Sequence, residues 1–329
     1  MLPFFLLLVS LLAVQSQADK VFFTPEDAES LFEEFIVNFN KYYSNEEEKT
    51  FRFNVFKENL KKINERNAKS SLAEYGINHF TDLTVDEFVR KYTGLRLPSQ
   101  RAGPVCKESN PLDVTGHAPE SLDWRKEGKV TAIKNQGQCG SCWAFGTTGT
   151  LEGAYAIKHN TLVSLSEQQL VDCDKTNSGC CGGFYDKAMM WLMQNGGSMT
   201  EADYPYKAQE GKCANDKSKV VVNVTGCAQY IDKTEDELKQ ILANVGPLGI
   251  AVVSNTFQGY KNGIHECDPS YNEINHAVLL VGYGEENGTP YWIVKNSWGT
   301  GWGEEGYIRL PMYKNACRLR DSVFSGIVE

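Results

Sequence analysis

The sequence lacks two features that many classes of protein require. It has no long run of basic residues, and the formal net charge of its 329 residues is −9. Binding to phosphate backbones needs clustered lysine and arginine, so we expect no nucleic-acid partner. Long hydrophobic runs are also missing, because the apolar stretch from Leu2 to Val14 is too short to cross a bilayer as a helix. We therefore expect no membrane span.

The apolar stretch at the N-terminus has the pattern of a secretory signal. It is followed by Ser16-Gln17-Ala18, which places small residues where a signal peptidase reads the chain. We interpret residues 1–18 as a signal peptide that is removed in the secretory pathway. Two glycosylation sequons, at Asn223 and Asn287, fit this interpretation, although such triplets also arise by chance.

Ten cysteines make the redox compartment informative. In an oxidising lumen most of them should be paired, whereas in cytosol they would suggest a metal site. Cys139 and Cys142 lie three residues apart at the start of an apolar, helix-like run. Three interpretations are open at this point: a redox pair, half of a metal site, or a structural thiol beside a reactive one.

Hydrophobic spacing divides the chain into a helical first part and a strand-rich last part. Helical spacing is found near residues 31–39, 46–67, 143–159 and 166–171. Leu97 to Pro119 is rich in Pro, Ser, Gly and Asn and is interpreted as a linker. Short apolar runs in the last third predict strands of a sheet, at 220–222, 250–253, 277–281 and 291–294.

One predicted helix carries an unusual stripe. Steps of three or four residues place six side chains on one face: Glu48, Arg52, Phe56, Asn59, Ile63 and Asn67. An ordinary amphipathic surface helix does not explain why charged, amide and apolar residues share that face.

Cys142 is a candidate nucleophile. A nucleophilic cysteine needs a thiolate, and both the positive end of a helix and a nearby imidazolium lower the thiol pKa. Among five histidines, His276 opens an apolar strand that would hold its ring rigidly. Asn296 ends another strand and supplies an amide to orient that ring. A lone cysteine, histidine or asparagine is more often a core or disulfide residue, so the ordered set carries the argument.

Several motifs occur together in a fixed order. They are Gln136, Cys139-Gly-Ser-Cys142-Trp, Asn275-His276-Ala277, Asn296-Ser297-Trp298-Gly299, Trp302-Gly303 and Gly306-Tyr307. The block around Cys142 is a known signature of papain and the cathepsins. The chain thus resembles papain-family cysteine proteases of the cathepsin L-like branch, in proenzyme form.

The resemblance implies a role for each residue of the site. Cys142 would be the nucleophile, and His276 would hold the proton that passes to the leaving amine. Asn296 would accept a hydrogen bond from the other ring nitrogen of His276, and Trp298 would shield that bond. Gln136 would stabilise the oxyanion together with the backbone N–H of Cys142. No inserted loop with paired histidines closes the cleft, so endopeptidase activity is expected.

The same resemblance implies the fold and domains. We expect an α+β, papain-like fold of two subdomains, a helical left one at about 118–225 and a β-barrel-like right one at about 226–329. The active-site cleft would lie between them. A helical inhibitory propeptide, residues 19–117, would precede a mature enzyme of residues 118–329.

The resemblance also implies three disulfides: Cys139–Cys180, Cys173–Cys213 and Cys267–Cys317. Because Cys139 then has another partner, a redox pair with Cys142 is disfavoured, and no compact four-ligand cluster favours zinc. Cys106 lies in the linker, and we expect it to leave with the prosegment. Cys181 and Cys227 could be free, paired together, or paired with Cys106.

The helix stripe matches the interrupted motif of cathepsin L-like propeptides, and a companion motif follows at Gly76, Asn78, Phe80 and Asp82. Both imply a built-in inhibitor whose chain crosses the cleft. We hypothesise that acid protonates carboxylates that hold the prosegment down, so that maturation starts at low pH. Asp82 is the carboxylate to test, with a helix cap as its alternative role.

The resemblance also implies a substrate preference, through the positions that match the family's substrate-binding residues. Gly182 and Gly183 would offer backbone to the substrate, and five residues would line the pocket for the second residue before the scissile bond: Phe184, Tyr185, Ala251, Ile274 and Ser322. The pocket has no acid, so it should favour Leu, Val or Phe over Arg. Alternatively, the two adjacent aromatics merely pack the helical subdomain.

Two positions depart from the family pattern. Gly146 stands where serine is usual, and Arg318 follows Cys317 where glycine is usual, which puts the course of the tail and Ser322 in doubt.

The expected partners are protein and peptide substrates, the chain's own propeptide and cystatin-like inhibitors. We expect a monomer without cofactor or metal, in the lysosome or outside the cell. The alternatives are an inactive secreted binding protein of the same fold and an inhibitor resembling a free prosegment.

Overall fold

The structure is a computed structural model that describes residues 20–97, 106–108 and 117–329. The predicted signal peptide, residues 1–18, lies outside the described residues, as does most of the linker predicted from Leu97 to Pro119. Within the described ranges, no helix is both long and apolar enough to span a membrane.

The described residues form seven α-helices. They are α1 (Ala28–Asn38), α2 (Glu46–Lys69), α3 (Val85–Tyr92), α4 (Cys142–His159), α5 (Glu167–Cys173), α6 (Tyr185–Asn195) and α7 (Glu235–Val245). Helices α1, α2, α4 and α5 correspond to the four helical segments predicted from spacing. Helices α3 and α7 begin with capping boxes, in which a threonine and the glutamate three residues later satisfy each other's backbone N–H groups.

Twelve β-strands accompany these helices in the described ranges. They are β1 (Ala73–Tyr75), β2 (Lys107–Glu108), β3 (Leu122–Asp123), β4 (Ser198–Met199), β5 (Val220–Val222), β6 (Val224–Tyr230), β7 (Leu248–Val252), β8 (Tyr260–Gly263), β9 (His276–Glu286), β10 (Thr289–Lys295), β11 (Tyr307–Pro311) and β12 (Val323–Val328). The fold is α+β, as expected, with helices ahead of a strand-rich last third.

One eight-stranded sheet organises the C-terminal half. Its strands follow the order β11-β10-β9-β7-β12-β6-β2, and β3 pairs with β9. Because β3 belongs to the segment expected in the helical subdomain, the chain crosses over there. Strand β5 departs from the single predicted sheet, because it pairs with β4 in a separate two-stranded sheet.

Helix α4 packs across the main sheet, and this packing fixes the position of Cys142, the first residue of the helix. A Cβ atom on Gly149 would lie 3.0 Å from the Leu279 Cδ2 atom on β9, so glycine permits this close approach. The N-terminus of α4 is thereby held next to the start of β9. That junction brings Cys142 and His276 into one region.

The stripe on α2 is explained by what it contacts. Phe56 and Ile63 are buried in the core. Asn59 donates hydrogen bonds to the carbonyls of Thr81 and Leu83, both at 2.8 Å. These amide groups form hydrogen bonds with backbone carbonyls of the loop, which α2 would otherwise bury without a partner. Each such bond contributes about 0.5–1.5 kcal/mol to stability. Amide and apolar residues therefore share one face because that face covers both a loop and a core.

The N-terminal helical segment also joins the rest of the chain through strands. Strand β1 pairs antiparallel with β8, with Ala73 opposite Gly263. Tyr75 at the end of β1 is buried, and its hydroxyl lies 3.0 Å from Nδ1 of His265.

Candidate active site

The candidate nucleophile is the first residue of α4. Cys142 is fully buried and is not in a disulfide. Backbone groups of Ala277, Trp143 and Leu95 lie within hydrogen-bonding range of its sulfur. Burial nevertheless outweighs these contacts and raises the pKa of the Cys142 thiol to about 12. The expected low thiol pKa is therefore absent in this covered state, because the sulfur has no access to water.

His276, the first residue of β9, is held by Asn296 and Trp298. Its Nε2 atom lies 2.8 Å from Oδ1 of Asn296, and its ring stacks on that of Trp298 at 4.6 Å between centroids. Since Oδ1 accepts, Nε2 carries the proton and Nδ1 is the basic nitrogen. Nδ1 is buried and has no hydrogen-bond partner among the described residues.

The charge state of the site follows from this burial. Burial lowers the pKa of His276 to about 4, although the hydrogen bond to Asn296 acts in the opposite direction. With the thiol pKa raised, both groups are neutral near pH 7. The two groups that could form an ion pair are assembled but uncharged in this structure.

Gln136 is fully buried and its side-chain amide is fixed at both ends. Its Oε1 atom accepts a hydrogen bond of 2.6 Å from the Ser297 hydroxyl, and its Nε2 atom donates to the Cys139 carbonyl at 2.9 Å. This is the one bond from Nε2 among the described residues, so the second N–H can serve a ligand oxygen. Sequence reasoning missed Ser297 in this role, although it lies in the recognised Asn-Ser-Trp-Gly block.

The N-terminal helical segment covers Trp298. Phe80 and Phe88 meet its ring edge-on, with centroids at 5.5 and 5.0 Å. Its Nε1 atom donates to the Tyr92 carbonyl at 2.8 Å. Trp298 thus lies between the His276 ring and these aromatic side chains, with 1% of its surface exposed.

After α3 the chain runs across the site. Gly183 N–H donates to the Gly94 carbonyl, Arg96 N–H donates to the Gly183 carbonyl, both at 2.9 Å, and Leu95 forms a parallel bridge with Gly183. Leu95 N–H also donates to the Asn275 carbonyl at 3.0 Å. Backbone groups next to Cys142 and His276 are thereby occupied by residues 94–96. Gly182 is buried beneath them, and a Cβ there would lie 2.6 Å from the Gly94 oxygen.

The five predicted pocket residues are all buried, and contacts connect three of them. The Tyr185 hydroxyl is hydrogen-bonded to the Ser322 hydroxyl, and Ala251 N–H donates to the Ser322 carbonyl at 3.0 Å. Phe184 precedes Tyr185 at the start of α6, and Ile274 lies two residues before His276. None of the five carries a charge.

The structure accommodates both departures from the family pattern locally. Cys317 and Arg318 have φ angles of 50° and 62°, in the left-handed region that favours glycine. Arg318 is held there by Asp321 at 2.7 Å, and Ser322 keeps its contact with Ala251. A Cβ on Gly146 would lie 3.4 Å from that of Ala277, an ordinary contact distance.

The disulfides include one pair that the sequence analysis left open. The three pairs implied by resemblance are present: Cys139–Cys180, Cys173–Cys213 and Cys267–Cys317. We expected Cys106 to leave with the prosegment and left its pairing with Cys227 open. The two cysteines are bonded to each other, and residues 107–108 extend the main sheet beside β6. Cys181 is free and exposed.

One cluster of potential metal ligands lies within the described residues. His265 lies close to Cys267 and Cys317, but the two sulfurs are bonded to each other and cannot act as thiolate ligands.

A buried charge cluster beneath α4 was not predicted from the sequence. Lys134 lies 2.9 Å from Glu152 and 2.7 Å from Glu167. Burial raises the pKa of Glu167, whereas at Glu152 the attraction of Lys134 and Lys295 overcomes burial and lowers the pKa. Lys134 precedes Gln136 by two residues, so the cluster anchors the loop that carries Gln136.

Comparisons with known proteins agree with this geometry. Residues 118–327 match the model of the papain family cysteine protease, and residues 32–88 match the cathepsin propeptide inhibitor domain. The chain is 47% identical to a viral cathepsin of Antheraea pernyi nuclear polyhedrosis virus over 298 residues, covering 90% of this chain and 91% of the relative. It is 46% identical to a viral cathepsin of Choristoneura fumiferana nuclear polyhedrosis virus, covering 94% of each.

Solved proenzyme structures are similar as well. Digestive procathepsin L2 from Tenebrio molitor larval midgut has a TM-score of 0.84 at 34% identity, covering 91% of this chain and 99% of that one. A recombinant stem bromelain precursor has a TM-score of 0.81 at 37% identity, covering 92% and 99%. The chain therefore belongs to the papain family of cysteine proteases, on the cathepsin L-like branch, and is a zymogen with an inhibitor propeptide.

Proposed function

We propose that this protease is an endopeptidase of the secretory pathway, delivered to the lysosome or outside the cell. Its parts are a signal peptide, residues 1–18, an inhibitory propeptide, residues 19–117, and a mature enzyme, residues 118–329, with subdomains dividing near residue 226. The family matches at residues 32–88 and 118–327 support this division.

The proposed reaction is peptide hydrolysis through a thioester. Cys142 attacks the scissile carbonyl, and His276 holds the thiol proton and then passes it to the leaving amine. Asn296 orients the ring from Nε2, and Trp298 covers that bond. Gln136 and the Cys142 N–H stabilise the oxyanion. Water then attacks the thioester and returns the enzyme to its starting state.

One observation carries this proposal. The His276 imidazole is locked through Nε2 to Asn296, and its unpartnered Nδ1 belongs to the same junction as the buried free thiol of Cys142. A core histidine would be satisfied at both nitrogens, as His265 is by Tyr75 and Thr256. This difference supports a catalytic role for His276.

Latency follows from the cover over the site. Residues 94–96 occupy the backbone groups of Gly183 and Asn275, and burial keeps Cys142 and His276 neutral. Removing the prosegment admits water, which lowers the pKa of Cys142 and raises that of His276, so the reactive ion pair can form.

Acid-induced maturation is proposed to use histidines in addition to carboxylates. Asp82 accepts hydrogen bonds from Lys41 and Tyr43 and does not cap α3, which Thr84 caps. For Glu87, bonds from Arg52 and Thr84 overcome burial and lower the pKa from 4.5 to about 2. Its stabilising effect is therefore lost only as pH falls from about 4.5 towards 2, below the range of mild acid.

We assign the pH dependence of docking at higher pH, between 6.5 and 4, to His79. Burial, followed by repulsion from Lys41, lowers the pKa of His79 from 6.5 to about 4. His79 contacts Phe39, Phe80 and Lys41, all within the prosegment. An unfolded prosegment takes up this proton below pH 6.5 and the folded one does not, so the folded prosegment, and with it docking, weakens as pH falls from 6.5 towards 4. Burial also holds the pKa of His265 well below 6.5 where it meets Tyr75 of the prosegment.

The substrate preference is proposed to be apolar at the second residue before the scissile bond. The pocket is formed by uncharged side chains, Phe184, Tyr185, Ala251, Ile274 and Ser322, and burying a leucine side chain there contributes roughly 1.5–3 kcal/mol. Gly182 and Gly183 offer backbone to the substrate, as Gly183 does to the prosegment.

Further properties are proposed from the resemblance. The enzyme acts on proteins and peptides as a monomer, needs no cofactor or metal, and is open to cystatin-like inhibitors. Glycans at Asn223 and Asn287 are sterically allowed, because both residues are exposed.

Peptide hydrolysis tests the proposal. Acid-matured wild-type protein and Cys142→Ala are compared under reducing conditions on peptides that differ only at the second position. We expect cleavage of Leu and Phe peptides, absent in the variant. Preference for Arg would overturn the pocket assignment. No cleavage after complete prosegment removal would favour an inactive binding protein.

A further inference from the structure

Residues 106–108 are built into the enzyme portion of the zymogen. Lys107 and Glu108 form β2, which pairs in parallel with Ala228 and Gln229 of β6. Cys106 has no exposed surface and is bonded to Cys227, which is 3% exposed. The two Cα atoms are 4.7 Å apart, within the usual range for a disulfide.

The position of this disulfide in the chain matters for maturation. The inhibitory elements, helices α1 to α3 and the cleft-crossing residues 94–96, all precede Cys106. The proposed mature N-terminus near Ala118 follows it. Hydrolysis of a peptide bond between Cys106 and Ala118 therefore breaks the backbone but leaves the two pieces joined through sulfur.

We propose that the Cys106–Cys227 disulfide is a covalent tether between prosegment and mature enzyme. The inference rests on the proposed zymogen function and concerns its regulation. A single cut near Ala118 yields a two-chain protein in which the inhibitor stays at the high local concentration of a linked domain, typically millimolar. Full release requires a cut before Cys106 or reduction of the disulfide.

The two release routes leave different products. A cut before Cys106 adds one water across a peptide bond and leaves the residues from Cys106 onward on the enzyme. Reduction by a small thiol converts two RSH to RSSR, and Cys106 and Cys227 each become a thiol. Active enzyme formed without reductant therefore carries Cys106.

The first test needs no activity. Full-length Cys142→Ala zymogen is digested at acid pH, which suppresses disulfide exchange, and its peptides are analysed by mass spectrometry before and after reduction. We expect a cross-linked peptide that joins Cys106 to Cys227. A free Cys106, or a Cys181–Cys227 link, would overturn the tether. The Cys181→Ser variant is the matched control and should give the same cross-link.

The second test follows maturation of the wild-type zymogen and of Cys106→Ser/Cys227→Ser, with intact masses measured with and without reductant. Wild-type product formed without reductant should contain Cys106, and the double variant should lose the whole prosegment after one cut near Ala118. A wild-type product that starts near Ala118 and carries no Cys106 peptide would refute the tether.

The two tests separate this inference from the proposed function. If the cross-link is found but no prosegment is cleaved and no peptide hydrolysed, the proposed function fails and the disulfide assignment stands. If cleavage and hydrolysis are normal but the product lacks Cys106, the tether fails and the proposed function stands. Thermal unfolding of the double variant verifies that it folds.

Discussion

Single residues in the site owe their behaviour to what surrounds them. The pKa of Cys142 is raised to about 12 and that of His276 is lowered to about 4, both chiefly by burial. A helix N-terminus stabilises a thiolate only where desolvation does not cost more. The same two side chains can therefore be unreactive in the zymogen and reactive once solvent reaches them.

Gln136 gives the sharpest prediction for one residue. Gln136→Ala removes the proposed oxyanion donor, so kcat should fall by about a hundredfold to a thousandfold. Ser297→Ala removes only the hydroxyl that fixes the amide, and it should lower kcat less. Steady-state kinetics on a Leu peptide measure both. A Gln136→Ala enzyme with wild-type kcat would show that its amide does not contact the transition state.

The site residues differ in how far sequence could predict them. The Cys142, His276 and Asn296 blocks are contiguous motifs and could be recognised. The raised thiol pKa could not, because it is caused by burial, and groups around the sulfur such as Ala277 and Leu95 come from distant parts of the chain. Likewise the Cys106–Cys227 pair spans 121 residues, and spacing alone does not determine connectivity.

At the scale of elements, the prosegment is held by strand pairing, by amide-to-backbone bonds and by histidine burial. Strand β1 extends β8, and Asn78 donates to the Gln258 carbonyl at 2.7 Å. These bonds do not titrate. The pH dependence of docking is therefore left to side chains such as His79.

Replacing His79 should shift the acid limit of latency. His79→Gln removes the group that gains a proton when the prosegment unfolds below pH 6.5, so prosegment release should need a lower pH than in wild type. Glu87→Gln is the matched control, since its loss weakens docking at every pH above about 4.5. The rate of prosegment release is measured against pH in a Cys142→Ala background. An unchanged pH profile in His79→Gln would contradict this role.

Helices and strands could be predicted where the local sequence pattern determines them. Pairing between strands could not, because it depends on tertiary contacts. Helices α1, α2, α4 and α5 have clear spacing. Helices α3, α6 and α7 were missed, although the threonine and glutamate capping boxes of α3 and α7 are readable signals. Strand β5 was predicted, but its pairing with β4 depends on tertiary contacts that no local pattern contains.

At the scale of the whole molecule, buried charge connects the loops to the core. Lys134→Met leaves Glu152 and Glu167 without their shared cation, so the free energy of unfolding should fall by about 3–5 kcal/mol. Lys129→Met is the matched control, because its ammonium bonds two uncharged oxygens among the described residues, the Ala156 carbonyl and Asn160 Oδ1, and its loss should cost about 1 kcal/mol. Urea unfolding of full-length zymogens measures both. Equal losses of unfolding free energy in the two variants would show that the charge cluster contributes no more to stability than an ordinary hydrogen-bonded lysine.

The fold as a whole places two free thiols in opposite settings. Cys142 is buried under the prosegment, whereas Cys181 is exposed. Because both occur in one chain, Cys181 reports whether a thiol reagent is active while Cys142 reports whether the site is open.

Alkylation of these two thiols before and after maturation tests the central claim most directly. Zymogen and mature enzyme are treated with iodoacetamide across neutral pH, and peptide masses give the rate at each cysteine. We expect Cys142 to be unreactive in the zymogen and to react faster than Cys181 in the mature enzyme. Equal labelling of Cys142 in both forms, or slower labelling of Cys142 than of Cys181 after maturation, would contradict the account.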